Sequence, residues 1–131
     1  MTDPLDDQLS RLLDGTPLAH VATLLPDGSP HSVPVWVGLL EGRVAFLSSP
    51  GARKARNVAR DPRVSISLTE DGRPTTMAQI RGRVVERREG DAAWAVIDRI
   101  SEKYIGGPYP LREDRVLFVI EPERAWAQAF A

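Results

Sequence analysis

Cysteine is absent from this chain of 131 residues. Its absence excludes a disulfide framework, a thiolate nucleophile and a Cys-ligated metal. Histidine is scarce: His20 and His31 are the only two, too few for a His-rich metal site, so none is expected. Neither sign of charge dominates, since 17 basic residues stand against 18 acidic ones for a net charge of −1. No nucleic-acid or membrane partner is therefore expected from the charge balance. No apolar run approaches the ~18 residues that suggest a bilayer span. The start, Met1-Thr2-Asp3-Pro4-Leu5-Asp6-Asp7, is acidic and lacks the apolar stretch of a signal peptide. The expectation is a cytoplasmic protein forming one domain over residues 1–131. A domain of this size leaves much apolar surface to cover, and dimerisation is one common answer.

Several catalytic motifs are also missing. There is no G-x-G-x-x-G and no G-x-x-x-x-G-K-[ST], hence no support for a Rossmann site or a P-loop. There is no G-x-S-x-G elbow and no H-E-x-x-H. Glu86 and Glu89 read as solvated strand-end carboxylates rather than an acid/base pair. No side chain is nominated as catalytic. If the protein is an enzyme, a bound cofactor carries the chemistry.

What is present reads as an alternation of short elements. Asp3 is a suitable N-cap with Pro4 at the first helical position, Leu5, Leu9, Leu12 and Leu13 recur at helical spacing, and Gly15 stops the helix. His20 to Leu25 and Pro30 to Leu40 read as strands joined by Pro26-Asp27-Gly28-Ser29, a hairpin signal. Arg43 to Ser48 is a third strand. A short helix over 52–60 ends at Asp61-Pro62. Val64 to Thr69 alternates apolar and polar residues as a half-buried strand does. Thr76 to Arg88 is a long strand in which Gly82 predicts a bend or bulge. Asp91 to Ile105 has helical spacing, Gly106 to Pro110 is a loop that serves as a connector or a lid, Val116 to Ile120 is a core strand and Trp126 to Phe130 an added edge. Strands arranged as hairpins rather than as βαβ units favour a small antiparallel barrel with helices outside.

The segment from Ser48 to Arg63 is the most informative. It leaves a strand and opens a helix whose first turn carries Arg53 and Lys54. A helix start exposes free N–H groups and the positive end of the dipole. Two cations added there suit an anion, most naturally a phosphate. The same segment also reads as a solvated basic helix face, as does the row Arg81, Arg83, Arg87 and Arg88.

Several pieces occur in a set order: His20-Val21-Ala22-Thr23-Leu24, Pro26 to Pro30, Val33-Pro34-Val35-Trp36-Val37, Phe46-Leu47-Ser48-Ser49, Arg53-Lys54-Ala55-Arg56-Asn57, Arg60 to Ser65, and Ile80 to Glu86. Taken together, nearly the whole chain resembles the pyridoxamine 5′-phosphate oxidase-like superfamily of split β-barrels. More narrowly, it is similar to the B group of flavin/deazaflavin oxidoreductases, many of which use coenzyme F420. The resemblance implies a mainly β, α+β fold: a six-stranded antiparallel split barrel with flanking helices. It further implies a homodimer with cofactor sites at the subunit interface.

Carried over residue by residue, the resemblance implies that Arg53 and Lys54 hold a phosphate, with Asn57 one turn on in support. Ser48 and Ser49 stand where the strand end meets the phosphate or ribityl chain. Val33, Pro34, Val35 and Trp36 lie along the ring, and Met77 reaches its edge. Trp36 also reads as barrel or interface packing, though less readily than as a cofactor contact, and Met77 reads equally as a gap-filler. FMN oxidases of the pyridoxamine type carry an Arg and a Lys around the ring-binding strand, where this chain has Val33 and Gly38. That departure shifts the expectation to reduced F420 passing hydride to an unsaturated small organic acceptor. FMN in the same fold, or a non-catalytic flavin or haem binder, stands as the alternative.

Overall fold

The computed structural model describes residues 4–130. Helix α1 (Asp7–Asp14) precedes strands β1 (Leu18–Leu24), β2 (Pro30–Val35), β3 (Val37–Leu40) and β4 (Arg43–Ser48). Helix α2 (Arg53–Arg60), β5 (Arg63–Glu70), β6 (Arg73–Arg88), α3 (Gly90–Ile105) and β7 (Val116–Ala129) follow. All strand pairings are antiparallel, in one sheet of seven strands ordered β2-β1-β5-β6-β7-β4-β3.

The two edge strands of that order, β2 and β3, are consecutive in the chain and separated by Trp36 alone. Laid flat, seven strands at ~4.8 Å spacing would place their edges roughly 29 Å apart. The two peptide steps from Val35 to Val37 reach at most about 7 Å. The sheet must therefore curl until its edges meet, and the right-handed twist of strands supplies the sense of the curl. The expected barrel is thus present, with two differences from the expected six strands. The Pro30–Leu40 segment breaks at Trp36 into β2 and β3, because its two halves serve opposite edges. Val116 to Ala129 is one strand rather than a core strand and a separate edge. Pro122 is tolerated within it because only 116–120 pair with β4 on the second side.

Alternation along the strands explains two separate cores. On β4 and β7, Val44, Phe46, Val116, Phe118 and Ile120 point into the barrel, where Ile66, Ile80 and Leu9 and Leu13 of α1 join them. Ala45, Leu47, Leu117 and Val119 point outward against Ala93, Val96, Ile97 and Ile100 of α3. Both faces being covered, these strands read as continuous apolar runs. Gly38 lets α3 approach: a Cβ there would meet Ile100 Cγ1 at 2.8 Å.

Helix α1 starts later than expected. Asp6 is its N-cap, its side chain accepting from the Leu9 N–H at 2.9 Å; the expected cap Asp3 lies outside the described residues. The register shifts at Arg81/Gly82, as Gly82 led us to expect. A Cβ on Gly82 would lie 2.2 Å from the Glu121 carbonyl oxygen, which is backbone and has little freedom to move. Gly82→Ala is expected to destabilise the fold by about 1–3 kcal/mol, read from the urea midpoint at unchanged m-value.

Candidate functional site

The junction that closes the barrel also forms a cleft. Its volume is about 970 Å³, and its walls include Thr16 to Ala19, Pro34 to Trp36, Leu47 to Ser49, Lys54, Tyr104 and Tyr109 to Leu111. The volume is in the range of small-molecule and cofactor sites.

Aromatic rings define its middle. Trp36 stacks on Tyr104 with centroids 5.2 Å apart and planes at 6°, and meets Tyr109 edge-on at 5.8 Å and 82°. Tyr104 is fixed by two hydrogen bonds: its hydroxyl donates to the Pro17 carbonyl at 2.9 Å and accepts from the Val37 N–H at 3.4 Å. Burial raises its phenol pKa above the ordinary value, so it stays a neutral donor. The preceding residue, Lys103, donates to the Leu13 and Val37 carbonyls at 2.8 and 2.9 Å. Burial pulls its pKa below that of an ordinary lysine. Together these two side chains of α3 strap the barrel junction to the end of α1.

One end of the cleft is cationic. Lys54, half-buried on the first turn of α2, and Arg115, just before β7, both line it. Burial first, and the charge of Arg115 second, lower the Lys54 pKa. The N-cap of α2 is Ala52, which offers no side-chain cap, so the first N–H groups are left available to a ligand. The Ser48 hydroxyl beside them donates to the Ser49 carbonyl at 2.8 Å. An anionic group, an uncapped helix start and a flat aromatic wall are complementary. The residues present thus suit a phosphate-bearing ring cofactor.

Of the residues singled out from sequence, Pro34, Val35, Trp36, Ser48, Ser49 and Lys54 come together in this cleft. Four do not line it. Val33 packs against the barrel core. Arg53 is exposed on the first residue of α2. Asn57 is fully buried, donating its amide N–H to Thr23 Oγ1 at 3.0 Å. It therefore anchors α2 to β1 rather than supporting the cation end. Met77 is half-buried on β6, opposite Gln128. The arginine row is largely an ion-paired strand face, with Arg83–Glu123, Arg87–Glu89 and Arg88–Glu86 contacts. His31 faces its strand partner Thr23, with Nδ1 buried and without a hydrogen-bond partner.

Sequence reasoning missed Lys103, Tyr104 and Arg115 as cleft residues. Lys103 and Tyr104 close an amphipathic helix whose apolar stripe drew attention instead, and nothing near Arg115 marks it as facing Lys54.

A curled antiparallel sheet whose two edges are one residue apart, with a cleft at that junction, is a split β-barrel. The chain belongs to the pyridoxamine 5′-phosphate oxidase family, whose sequence profile matches residues 5–129. Among solved structures it is similar to a protein described as F420 reductase: 26% identity, 89% of this chain and 94% of that one covered, TM-score 0.78. It is also similar to the conserved hypothetical protein Rv2991 of Mycobacterium tuberculosis, at 24% identity over 98% of this chain and 88% of that one, TM-score 0.79. General Stress Protein 26 of Bacillus anthracis shares the fold at 14% identity over 92% and 91% of the two chains, TM-score 0.72. No curated protein matches the sequence.

The loop over the cleft is held by a clasp. Asp98 accepts from the Tyr109 N–H at 3.0 Å and from Arg112 at 2.6 Å, and the Arg112 guanidinium lies 4.0 Å from the Trp94 ring centroid. The Arg112 hydrogen bond first, then the Tyr109 N–H, hold the Asp98 pKa below the ordinary 3.8. A depressed folded value means that the clasp contributes fully above 3.8 and is lost as pH falls through the lower folded value. Asp98→Asn is expected to speed hydrogen exchange at the Tyr109 amide while core amides such as Phe118 keep their protection. Unchanged exchange at Tyr109 would refute the clasp.

Proposed function

We propose that the protein is an oxidoreductase that uses reduced coenzyme F420 to reduce an unsaturated small organic acceptor. The observation that carries this reading is the cleft in which an uncapped helix start and Lys54 adjoin the wall formed by Trp36, Tyr104 and Tyr109. In the bound state the cofactor supplies a hydride to the acceptor. The chain's own residues bind, orient and shield. Lys54, Ser48, Ser49 and the α2 N–H groups hold the phosphate, with Arg53 at the same helix start adding charge. Pro34 to Trp36 lie along the ring, and the Tyr109–Leu111 segment keeps water away. No protein side chain is needed as a proton donor, since water or the coenzyme serves.

Two observations favour F420 over FMN. The similarity to an F420 reductase spans most of both chains. Gly38 stands where the FMN oxidases of the pyridoxamine type carry a lysine, and a side chain at 38 would run into Ile100. Vitamin B6 oxidation is disfavoured for the same reason.

Parallel fluorescence titrations with F420, FMN and haem test the reading, with tight F420 binding and acceptor reduction expected. A protein that purifies yellow with tightly held FMN and ignores F420 would replace this reading with the FMN one; tight haem or flavin binding without turnover across acceptors would favour a carrier or sensor. Replacing Arg53 and Lys54 together by Ala is expected to cost binding about 1.5–3 kcal/mol per lost charge-assisted contact, with little effect on the thermal midpoint. Unchanged affinity would refute the phosphate seat.

We further infer a homodimer and a cytoplasmic location. Leu18, Trp126 and Phe130 are exposed large apolar residues, and Trp126 lies across from Gln79 on β6, donating to it at 3.2 Å. Sedimentation equilibrium at micromolar concentration is expected to give the dimer mass, and Trp126→Glu to shift it toward monomer; a wild-type monomer would refute the dimer.

A further inference from the structure

Seven of the fifteen arginines pair with a carboxylate, among them Arg43, Arg63 and Arg112. Of the others, Arg115 is the one that lines the cleft. Its side chain donates to the adjacent Asp114 carbonyl at 2.9 Å, and its guanidinium carbon sits 5.7 Å from the Tyr109 ring centroid. Both contacts fix its position and neither cancels its charge. Lys54 lines the same cleft, near enough to feel the charge of Arg115, and is also without an ion-pair partner among the described residues. The carboxylate that lines the cleft is Asp71, which accepts from the Thr16 hydroxyl at 3.2 Å and pairs with neither cation.

Two like charges brought together in a partly desolvated cleft oppose each other and destabilise the empty protein. The same two charges on either side of an anion are favourable, and a guanidinium with a fork of donors suits phosphate oxygens best. The aromatic ring under Arg115 restrains the guanidinium at little cost in further ordering.

We propose that Arg115 is the second cation of the phosphate seat, gripping the phosphate ester of the ring cofactor together with Lys54. This rests on the cofactor reading above, and it adds a residue that the helix start alone does not supply. Arg115 reaches the seat from the segment that also carries Tyr109, so one stretch of chain both covers the ring and grips the phosphate. Arg115 is a binding residue here and takes no part in proton or hydride movement.

The experiment uses the intact protein and four versions: wild type, Lys54→Gln, Arg115→Gln and Arg56→Gln. The last removes a charge from an exposed position of α2 outside the cleft. Each is titrated with F420, with FMN, and with the counterpart lacking the phosphate (the deazaflavin ribitol compound or riboflavin). The thermal midpoint of each ligand-free protein is measured alongside. Arg115→Gln is expected to lose tenfold or more in affinity for the phosphate-bearing cofactor that the wild type prefers. It should keep its affinity for the phosphate-free counterpart and melt no lower than wild type, because removing one of two opposed charges relieves the empty site.

Arg56→Gln should bind like wild type. Full affinity in Arg115→Gln overturns the clamp while leaving the cofactor reading intact. A parallel loss of the phosphate-free ligand with a lowered midpoint overturns it too, since that is the mark of a packing role. If the wild type takes up neither F420 nor FMN, the cofactor reading fails, and inorganic pyrophosphate decides the clamp. A rise in thermal midpoint that disappears in Arg115→Gln sustains it, and no rise overturns it.

Discussion

The fold depends on one short connection. The outermost strands of the seven-strand order are joined through Trp36, so the sheet has no flat alternative. Curling brings the two edges together at Trp36 without pairing β2 to β3, and the cleft opens at that junction, walled by Pro34 to Trp36, the end of β4 and the end of α3. Closure by chain continuity rather than by a ladder leaves backbone groups at the junction to be satisfied in other ways. At Val37, the Tyr104 hydroxyl accepts from the N–H, while Lys103 donates to the carbonyl. Helix α3 therefore does more than cover the outer face of β3, β4 and β7. It supplies the polar groups that hold the split in place.

The same geometry explains the chemistry available to the cleft. An aromatic wall stands at its middle because Trp36 is the junction residue and Tyr104 is the strap beneath it. A cationic end lies beyond because β4 runs into the uncapped start of α2 and β7 begins just past Arg115. Charges that face a cleft without partners weaken the empty protein slightly and favour an anionic occupant, a common compromise at binding sites. Nothing in this arrangement demands a protein acid or base, which fits a reaction carried by a bound ring.

Local signals and packing signals differed in what they revealed. The Asp27-Gly28 turn, the alternation of Val64 to Thr69 and the helical stripe of Ala93, Val96, Ile97 and Ile100 are properties of neighbouring residues, and each corresponds to an element of the structure. The Gly82 irregularity was visible because a glycine weakens a strand interior and so tends to stand where a bulge or a close backbone approach requires it. The break at Trp36 was not visible, because Pro30 to Leu40 is a continuous strand-like run whose division depends on two distant partners. Asn57 looked like a neighbour of the basic pair by spacing, yet it lies on the buried face of α2, where Thr23 of β1 receives it.

By itself, the sequence determined the element types, the antiparallel hairpin character, the exclusion of thiol and disulfide chemistry, and the basic start of α2. Those features depend on residues a few positions apart, whose periodicity and backbone preferences act locally. Only the tertiary structure decided where the sheet closes, that Lys54 rather than Arg53 lines the cleft, and that Arg115 lines it too. Those outcomes follow from strand order and helix packing, which bring together residues that no local pattern connects.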